Sequence, residues 1–291
     1  MDIQSSDFIV DTPMVLNTRK TFLETGMSNR KVLNKLNKAR AKLSDLQEKI
    51  YAHNRYSVLI CLQGMDTAGK DSLIREVFKE FSPIGTEVHS FKSPTTTELG
   101  HDYLWRHYIA LPQRGVFGIF NRSHYENVLI TRVRPEIILK ERIPGIESIH
   151  DITPAFWEQR FEQINNFEKH ISSNGMVVLK FFLHLSKEEQ RNRILRRLNK
   201  ESHTWKFEPA DVDEREYWDL YQTYYEEAIN KTSTITCPWF VIPADDKNVA
   251  RLIVTRIILQ ELEKLTDVKL PDIKPVVKEK LSFYIDTLQA E

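Results

Sequence analysis

Apolar positions along this chain fall into two rhythms. Continuous apolar runs at Tyr56–Leu62, Gly115–Phe120, Met176–Leu183 and Trp239–Pro243 read as buried strands, and Thr86–Phe91 reads as a further short strand. Between them lie helical patterns. Asn29–His53 carries Val32, Leu33, Leu36, Leu43, Leu46 and Ile50 on one side, and further helices are predicted over Thr95–Ile109, Thr153–Ser172, Asp211–Lys231 and Asn248–Leu265. Ser186-Lys187-Glu188-Glu189 resembles a capping box and opens a helix to Lys200. Strands that alternate with helices predict an α/β fold, a parallel sheet covered on both faces. Ligands in such sheets bind beyond the strand C-termini, where Gly64, Asn121, His184 and Ala244 would lie. Residues 1–28 lack periodicity and read as an extended arm. The chain thus divides into an arm and amphipathic helix over 1–54, a core over 55–265 with a lid around 186–210, and a Lys/Pro-rich tail over 266–291.

Composition narrows this picture only a little. With 28% charged and 41% hydrophobic residues in 291, the profile is that of a soluble globular protein. Formal net charge is zero, so any anion binding must come from local clustering, and nothing points to a nucleic acid partner. The first residues lack a basic and then apolar leader, and the apolar run over Met176–Leu185 is broken by Lys180 and His184. A cytoplasmic protein without a membrane span is expected. Cys61 and Cys237 lack metal-ligand spacing and read as buried thiols. The outer face of the first long helix carries Arg30, Lys31, Lys35, Lys38, Arg40 and Lys42, either a solvated face or a guide for a polyanion.

Chemistry enters at Gly64-Met65-Asp66-Thr67-Ala68-Gly69-Lys70-Asp71, set between a strand and the amphipathic run Ser72–Phe78. Strand, glycine-rich turn and helix is the setting in which G-x-x-x-x-G-K forms a phosphate cradle. The backbone N–H groups of Gly64, Thr67, Ala68 and Gly69, the helix N-terminus and the Lys70 ammonium would face the anion. Asp71 stands where a Ser or Thr hydroxyl commonly meets Mg²⁺, and Asp66 lies inside the loop. Carboxylates beside phosphates repel them unless a divalent cation lies between, so Asp66, and less firmly Asp71, are candidate Mg²⁺ contacts. For Asp71 the alternative is an acidic first-turn residue favoured by the helix dipole.

A second cluster is Phe120-Asn121-Arg122-Ser123-His124-Tyr125-Glu126. Asn121 ends a strand where many phosphate-loop enzymes place a metal-binding Asp. Arg122 could fork onto phosphate oxygens, Glu126 could restore a carboxylate one turn on, and His124 and Tyr125 would pack or hydrogen-bond at the rim. A third is the basic helix Arg191–Lys200 and the polar loop after it, read as a lid in which Arg193 and Arg197 share an exposed face. Arg106, Arg132, Arg134 and Lys206 could continue a basic track.

These blocks, with Trp205-Lys206-Phe207 and Trp239-Phe240-Val241-Ile242-Pro243-Ala244-Asp245-Asp246-Lys247, resemble in order the polyphosphate kinase 2 family, over about residues 30 to 265. The resemblance implies a thymidylate-kinase-like phosphate-loop (P-loop) fold. This is a three-layer sandwich with a parallel sheet, a helical lid and an N-terminal helical extension. It also implies reversible phosphoryl transfer between inorganic polyphosphate and the nucleotides AMP, ADP and ATP, with Mg²⁺, in a homo-oligomer. Asp66, Lys70, Arg122, Asn121 and Glu126 would be catalytic, with Asp66, Asn121 and Glu126 toward the metal. Gly64, Thr67, Ala68, Gly69, Lys70, Asp71, Arg106, Arg132, Arg134, Arg193, Arg197 and Lys206 would bind phosphates. Asn121 with Glu126 looks like the pattern of members that accept both AMP and ADP, most others having Asp at that place. Two alternatives share parts of this pattern. One is an ATP-dependent nucleoside-monophosphate kinase, which fold alone does not exclude. The other is a nucleotide-controlled switch, which should show Asn-Lys-x-Asp, a motif this chain lacks.

Overall fold

The computed structural model describes residues 3–199 and 209–291. Lys200, Trp205, Lys206 and Phe207, with most of the polar lid loop, lie outside the described residues. Five strands form one parallel sheet: β1 (Ser57–Gln63), β2 (Thr86–Ser90), β3 (Phe117–Asn121), β4 (Met176–His184) and β5 (Trp239–Pro243), in the order β2-β3-β1-β4-β5. β1 is central and buried along its whole length. Its register pairs Leu62 with Asn121 of β3 and Gln63 with Phe182 of β4, so the turn leaving β1 emerges between the ends of both neighbours.

Alternation along β1 sends side chains into two layers. Val58, Ile60 and Leu62 join a core with Leu179, Phe181 and Leu183 of β4. That core is closed by Val32, Leu36, Leu43 and Ile50 of α1 (Asn29–His53) and by Leu252, Ile253 and Ile257 of a C-terminal helix, Lys247–Glu263. Leu59 and Cys61 point to the other face, where Phe161, Ile164, Phe167 and Ile171 of Pro154–Ser173 cover the sheet. The result is a three-layer sandwich, built because β1, β3, β4 and β5 are buried on both faces, while the polar β2 lies at the edge.

The remaining helices in chain order are α2 (Lys70–Val77), α3 (Trp105–Tyr108), α4 (Ile130–Val133), α5 (Glu136–Leu139), α6 (Pro154–Ser173) and α7 (Lys187–Leu198). After them come α8 (Ala210–Asp213), α9 (Trp218–Thr232), α10 (Lys247–Glu263), α11 (Pro275–Glu279) and α12 (Leu281–Gln289). Ser186 caps α7 by accepting the Glu189 N–H, as its sequence suggests. The reciprocal bond is absent among the described contacts: the Ser186 N–H goes to Asp245 Oδ1 at 2.9 Å, while Glu189 turns to Arg193. Asp246 caps α10 through the N–H groups of Asn248 and Val249.

Three expectations need correction. Thr95–Ile109 is not one helix but a 3-10 turn at Glu98–Gly100 followed by α3. Thr95 and Glu98 close the first turn on each other, and Asp102 Oδ1 takes the Leu104 N–H at 2.9 Å, starting a new one. Asp211–Lys231 is divided by a 3-10 turn at Glu214–Tyr217, where tertiary partners hold the backbone. Glu214 is gripped by Arg134 and Tyr221, and Arg215 reaches Lys187 O and Gln190. Arg40 does not belong to the exposed basic face of α1: it is 6% exposed and pairs with Glu76 of α2 at 3.2 Å.

The N-terminal arm packs onto the core. Val10 N–H donates to Trp239 O and Val241 N–H to Phe8 O, both at 2.9 Å, so the arm pairs antiparallel along the outer edge of β5 and covers it. The tail helices α11 and α12 are exposed throughout. Among the described residues no helix is long and apolar enough to cross a membrane.

Candidate active site

The turn after β1 is shaped by its neighbours. Gly64 has φ of +150°, and a Cβ there would lie 3.0 Å from Leu183 O and 3.1 Å from Leu183 Cβ on β4. Gly69, at φ +104°, caps α2 in the left-handed region, and Thr67 between them is also left-handed at φ 63°. Glycine at 64 and 69 is therefore demanded by packing and by backbone angle. Lys70 folds back so that Nζ donates to Gly64 O at 2.7 Å and Met65 O at 3.3 Å. Burial lowers the pKa of this lysine, while Asp66 opposes the shift.

The loop is stitched from outside by α7. Gln190 donates to Asp66 O at 3.0 Å. Arg193 donates through Nη1 to Ala68 O (2.7 Å) and Thr67 O (3.2 Å), and through Nη2 to Ala244 O (2.5 Å) and Asp245 O (3.1 Å). Its Nε reaches Glu189 at 2.9 Å. Arg193 is thus not an exposed lid residue as the helix pattern suggested; its side chain is 3% exposed. It joins the phosphate loop to the β5–α10 turn. Arg197, on the same helix, is half-buried.

The end of β3 faces the loop. Arg122, left-handed at φ 61°, continues the ladder through its N–H to Leu62 O and pairs through Nη2 with Asp66 Oδ1 at 3.0 Å. Burial pulls the Arg122 pKa down, but Glu126 and Asp66 outweigh it and raise the value. Asn121 Nδ2 donates to Asp71 Oδ1 at 2.7 Å and to Ser90 Oγ at 3.3 Å. Glu126 sits on a 3-10 turn, His124–Val128, capped by Ser123, whose Oγ also accepts from Gln63. Burial raises the Glu126 pKa against the opposing charges of Arg122 and Lys70. Asp66, Lys70, Asn121, Arg122 and Glu126, named from separate stretches of sequence, are brought to one place with Asp71.

Other expected contacts fall elsewhere. His124 and Tyr125 lie beneath the rim rather than on it, fully buried on Glu168. Lys180 Nζ bonds Glu168 Oε2 at 2.6 Å, Tyr125 OH at 2.9 Å and Thr232 O at 2.7 Å, completing a buried network under the Arg122–Glu126 turn. Burial would raise the Glu168 pKa, but Lys180 and His124 outweigh it and hold the carboxyl low. The basic track is not free either. Arg106 pairs with Glu98 at 3.2 Å, Arg134 with Glu214 at 3.0 Å, and Arg132 with Glu227 while stacking on Tyr224. Sequence reasoning missed Gln63, Gln190, Glu168 and Lys180. For the last pair a signal existed: Glu168 lies on the apolar stripe of α6, and Lys180 interrupts an apolar strand.

For a divalent cation the donor chemistry fits. Asn121 Oδ1 is buried without a partner, and the Asp66 and Glu126 carboxylates supply hard oxygens nearby. Among the described residues no three His, Cys, Asp or Glu side chains converge as a full protein cage. Mg²⁺ does not need one, since it commonly takes one or two carboxylates plus phosphates and water. A separate cavity of about 810 Å³ lies between the arm (Leu16–Phe22), His184 and Trp218, and no residue of the phosphate loop lines it.

Comparison with known proteins points the same way. A family model described as Polyphosphate kinase 2 (PPK2) matches residues 26–269. An ADP-polyphosphate phosphotransferase of Rhodopseudomonas palustris is 47% identical over 82% of this chain and 82% of its own. An AMP/ADP-polyphosphate phosphotransferase of Meiothermus ruber is 43% identical over 77% of this chain and 78% of its own. The crystal structure of polyphosphate kinase 2 from Arthrobacter aurescens TC1 superposes with a TM-score of 0.89 at 32% identity, over 98% of this chain and 99% of that one. With the phosphate loop and the Asn121–Glu126 turn side by side at the ends of β1 and β3, and the family model matching residues 26–269, this chain belongs to the polyphosphate kinase 2 family.

Proposed function

We propose that this protein transfers the terminal phosphoryl group of inorganic polyphosphate to ADP and to AMP, reversibly and with Mg²⁺. A cytoplasmic location and a homo-oligomeric state belong to the same reading. The observation that carries it is the convergence of Lys70, Asp66, Arg122 and Glu126 within one electrostatic neighbourhood at the ends of β1 and β3.

The chemistry asks little of a general base. The acceptor is a nucleotide phosphate, whose second pKa of about 6 leaves it anionic near neutral pH. An acceptor oxygen attacks the terminal phosphorus, the bond from that phosphorus to the next bridging oxygen breaks, and the shortened polymer leaves as an anion. The obstacle is to bring two polyanions together, which positioning and fixed positive charge overcome. Lys70 and the loop N–H groups hold the transferring phosphoryl. Arg122, oriented by Asp66 and Glu126, takes charge from the other side. Asp66, Asn121 and Glu126 would hold Mg²⁺, which supplies charge neutralisation and orientation of phosphate oxygens when bound. Arg197 and Lys206 remain proposed phosphate contacts of the lid.

The decisive comparison is AMP offered with either polyphosphate or ATP as sole donor. Appearance of ADP and then ATP from polyphosphate supports the reading. Transfer from ATP alone would make the protein a nucleoside-monophosphate kinase.

A further inference from the structure

Two consecutive residues of the 3-10 turn before Trp218, Glu214 and Arg215, reach to opposite sides of the phosphate loop. On one side Glu214 Oε1 accepts from Arg134 Nη2 at 3.0 Å, while Arg134 Nη1 donates to Tyr217 OH at 3.2 Å. Arg134 ends α4, which follows the His124–Val128 turn, so this hold is on the β3 side of β1. On the other side Arg215 Nη1 donates to Gln190 Oε1 at 2.7 Å and to Lys187 O at 3.2 Å. Both acceptors belong to the start of α7, which follows β4 on the far side of β1.

Gln190 carries the second hold into the phosphate loop. It is 1% exposed, and its amide is engaged at both ends: Oε1 accepts from Arg215, and Nε2 donates to Asp66 O at 3.0 Å. An amide can do both; a carboxylate could take the guanidinium but has no proton for a carbonyl. Asp66 in turn accepts from Arg122 Nη2 through Oδ1 at 3.0 Å. A line of bonds therefore runs from Arg215 through Gln190 and Asp66 to Arg122, crossing from the β4 side of β1 to the β3 side. Arg122 and Arg134 both lie in the segment that leaves β3, so Glu214 closes the line into a ring.

We propose that the Glu214–Arg215 turn is a clasp across the reaction site, and that Arg215 and Gln190 are positioning residues that act through Asp66 on Arg122. Resting on the proposed function, the clasp deepens it: it is what keeps the two sides of that site in register. Register matters because transfer between two polyanions depends on fixed cations and metal contacts, and a displacement of about 1 Å can cost 10²-fold in rate.

The test compares Arg215→Ala, Arg215→Lys and Gln190→Glu in the full chain, by thermal melt and by kcat and KM for each substrate well below the Tm. Arg215→Ala should lower kcat by about 10- to 100-fold, with the KM for polyphosphate and for ADP within about threefold. One nitrogen of Arg215 makes both of its bonds, so the Lys ammonium can replace it, and Arg215→Lys should lie closer to wild type than to Arg215→Ala. Gln190→Glu keeps Arg215 held but sets an acceptor against Asp66 O, and should lose kcat as Arg215→Ala does. If it melts early, Gln190→Met, which drops both bonds, takes its place with the same expected loss. Because the two residues act in series, Arg215→Ala with Gln190→Met should be no more than about twofold slower than the slower single variant. A kcat within about twofold of wild type for Arg215→Ala or for the Gln190 variant overturns the clasp. So does a loss seen in KM alone, or losses that multiply in the double variant. The series is repeated with ATP as donor. A wild type that draws on ATP and not polyphosphate overturns the proposed function, and the same variants then decide the clasp on their own; a wild type that uses neither donor overturns both.

Discussion

Replacing Arg193 by alanine should destabilise the protein as well as slow it. The side chain is 3% exposed, and its guanidinium donates to four backbone carbonyls and to Glu189. Hydrogen bonds to a charged group are worth about 1.5–3 kcal/mol each but do not add, and breaking a buried charged network from one side costs about 3–5 kcal/mol. Glu189 is 20% exposed and can be rehydrated, which favours the lower end, about 3 kcal/mol. A chain of this size loses about 2–4 °C per kcal/mol, so Tm should fall by about 6–12 °C. Arg196→Ala is the internal control. Its side chain is 63% exposed on the same Glu189, and loss of such a surface pair should cost under about 1 kcal/mol. Calorimetric or circular-dichroism melts of the two variants, run beside steady-state turnover, separate the roles. A Tm for Arg193→Ala within about 1 °C of wild type would refute the assignment of Arg193 as the tie between loop and β5–α10 turn.

Lys70→Ala should lower turnover about 10²–10³-fold with the melt unchanged in shape, and Asp66→Asn should lose a comparable amount; near-normal rates at saturating Mg²⁺ would place the chemistry elsewhere. Asn121→Asp sets a carboxylate against Asp71 where an amide now donates at 2.7 Å. It should change the kcat/KM ratio of AMP to ADP, a tenfold change corresponding to about 1.4 kcal/mol, and an equal loss for both acceptors would count against a role in acceptor choice. Lys180→Met leaves the Glu168 carboxylate buried without its cation and should cost about 3–5 kcal/mol, part of which Lys180→Met with Glu168→Leu should restore. A single variant as stable as wild type in a chemical melt would show that the network is not needed to hold the Arg122–Glu126 turn.

Much of this architecture was readable from residue pattern. Continuous apolar runs gave the strands because a doubly covered sheet buries both faces, and α1 was read to its ends because its apolar stripe is regular. The loop was legible because Gly64 and Gly69 answer local backbone demands. What escaped depends on contacts between distant segments. The break before Trp218 arises where Arg134 and Gln190 engage Glu214 and Arg215, and no local propensity records that. Arg193 reads as a solvated arginine on any helical wheel, since its partners are carbonyls from two other turns. Arg132 and Arg134 looked available because their carboxylates come from remote sequence, Glu227 being 95 residues from Arg132 and Glu214 80 residues from Arg134, whereas Arg106 meets Glu98 across the break in what reads as one helix. Charge can be read from a sequence; whether it is already neutralised cannot.

The most direct measurement follows the phosphoryl group itself. Polyphosphate labelled in its phosphorus is incubated with unlabelled ADP, Mg²⁺ and the full-length protein, and the nucleotides are separated. The account predicts ATP labelled in its terminal phosphate, no labelled product after metal chelation, and little from Lys70→Ala. Unlabelled ATP formed with AMP, the signature of two ADP molecules exchanging a phosphoryl group, or no ATP above a protein-free control, would contradict it.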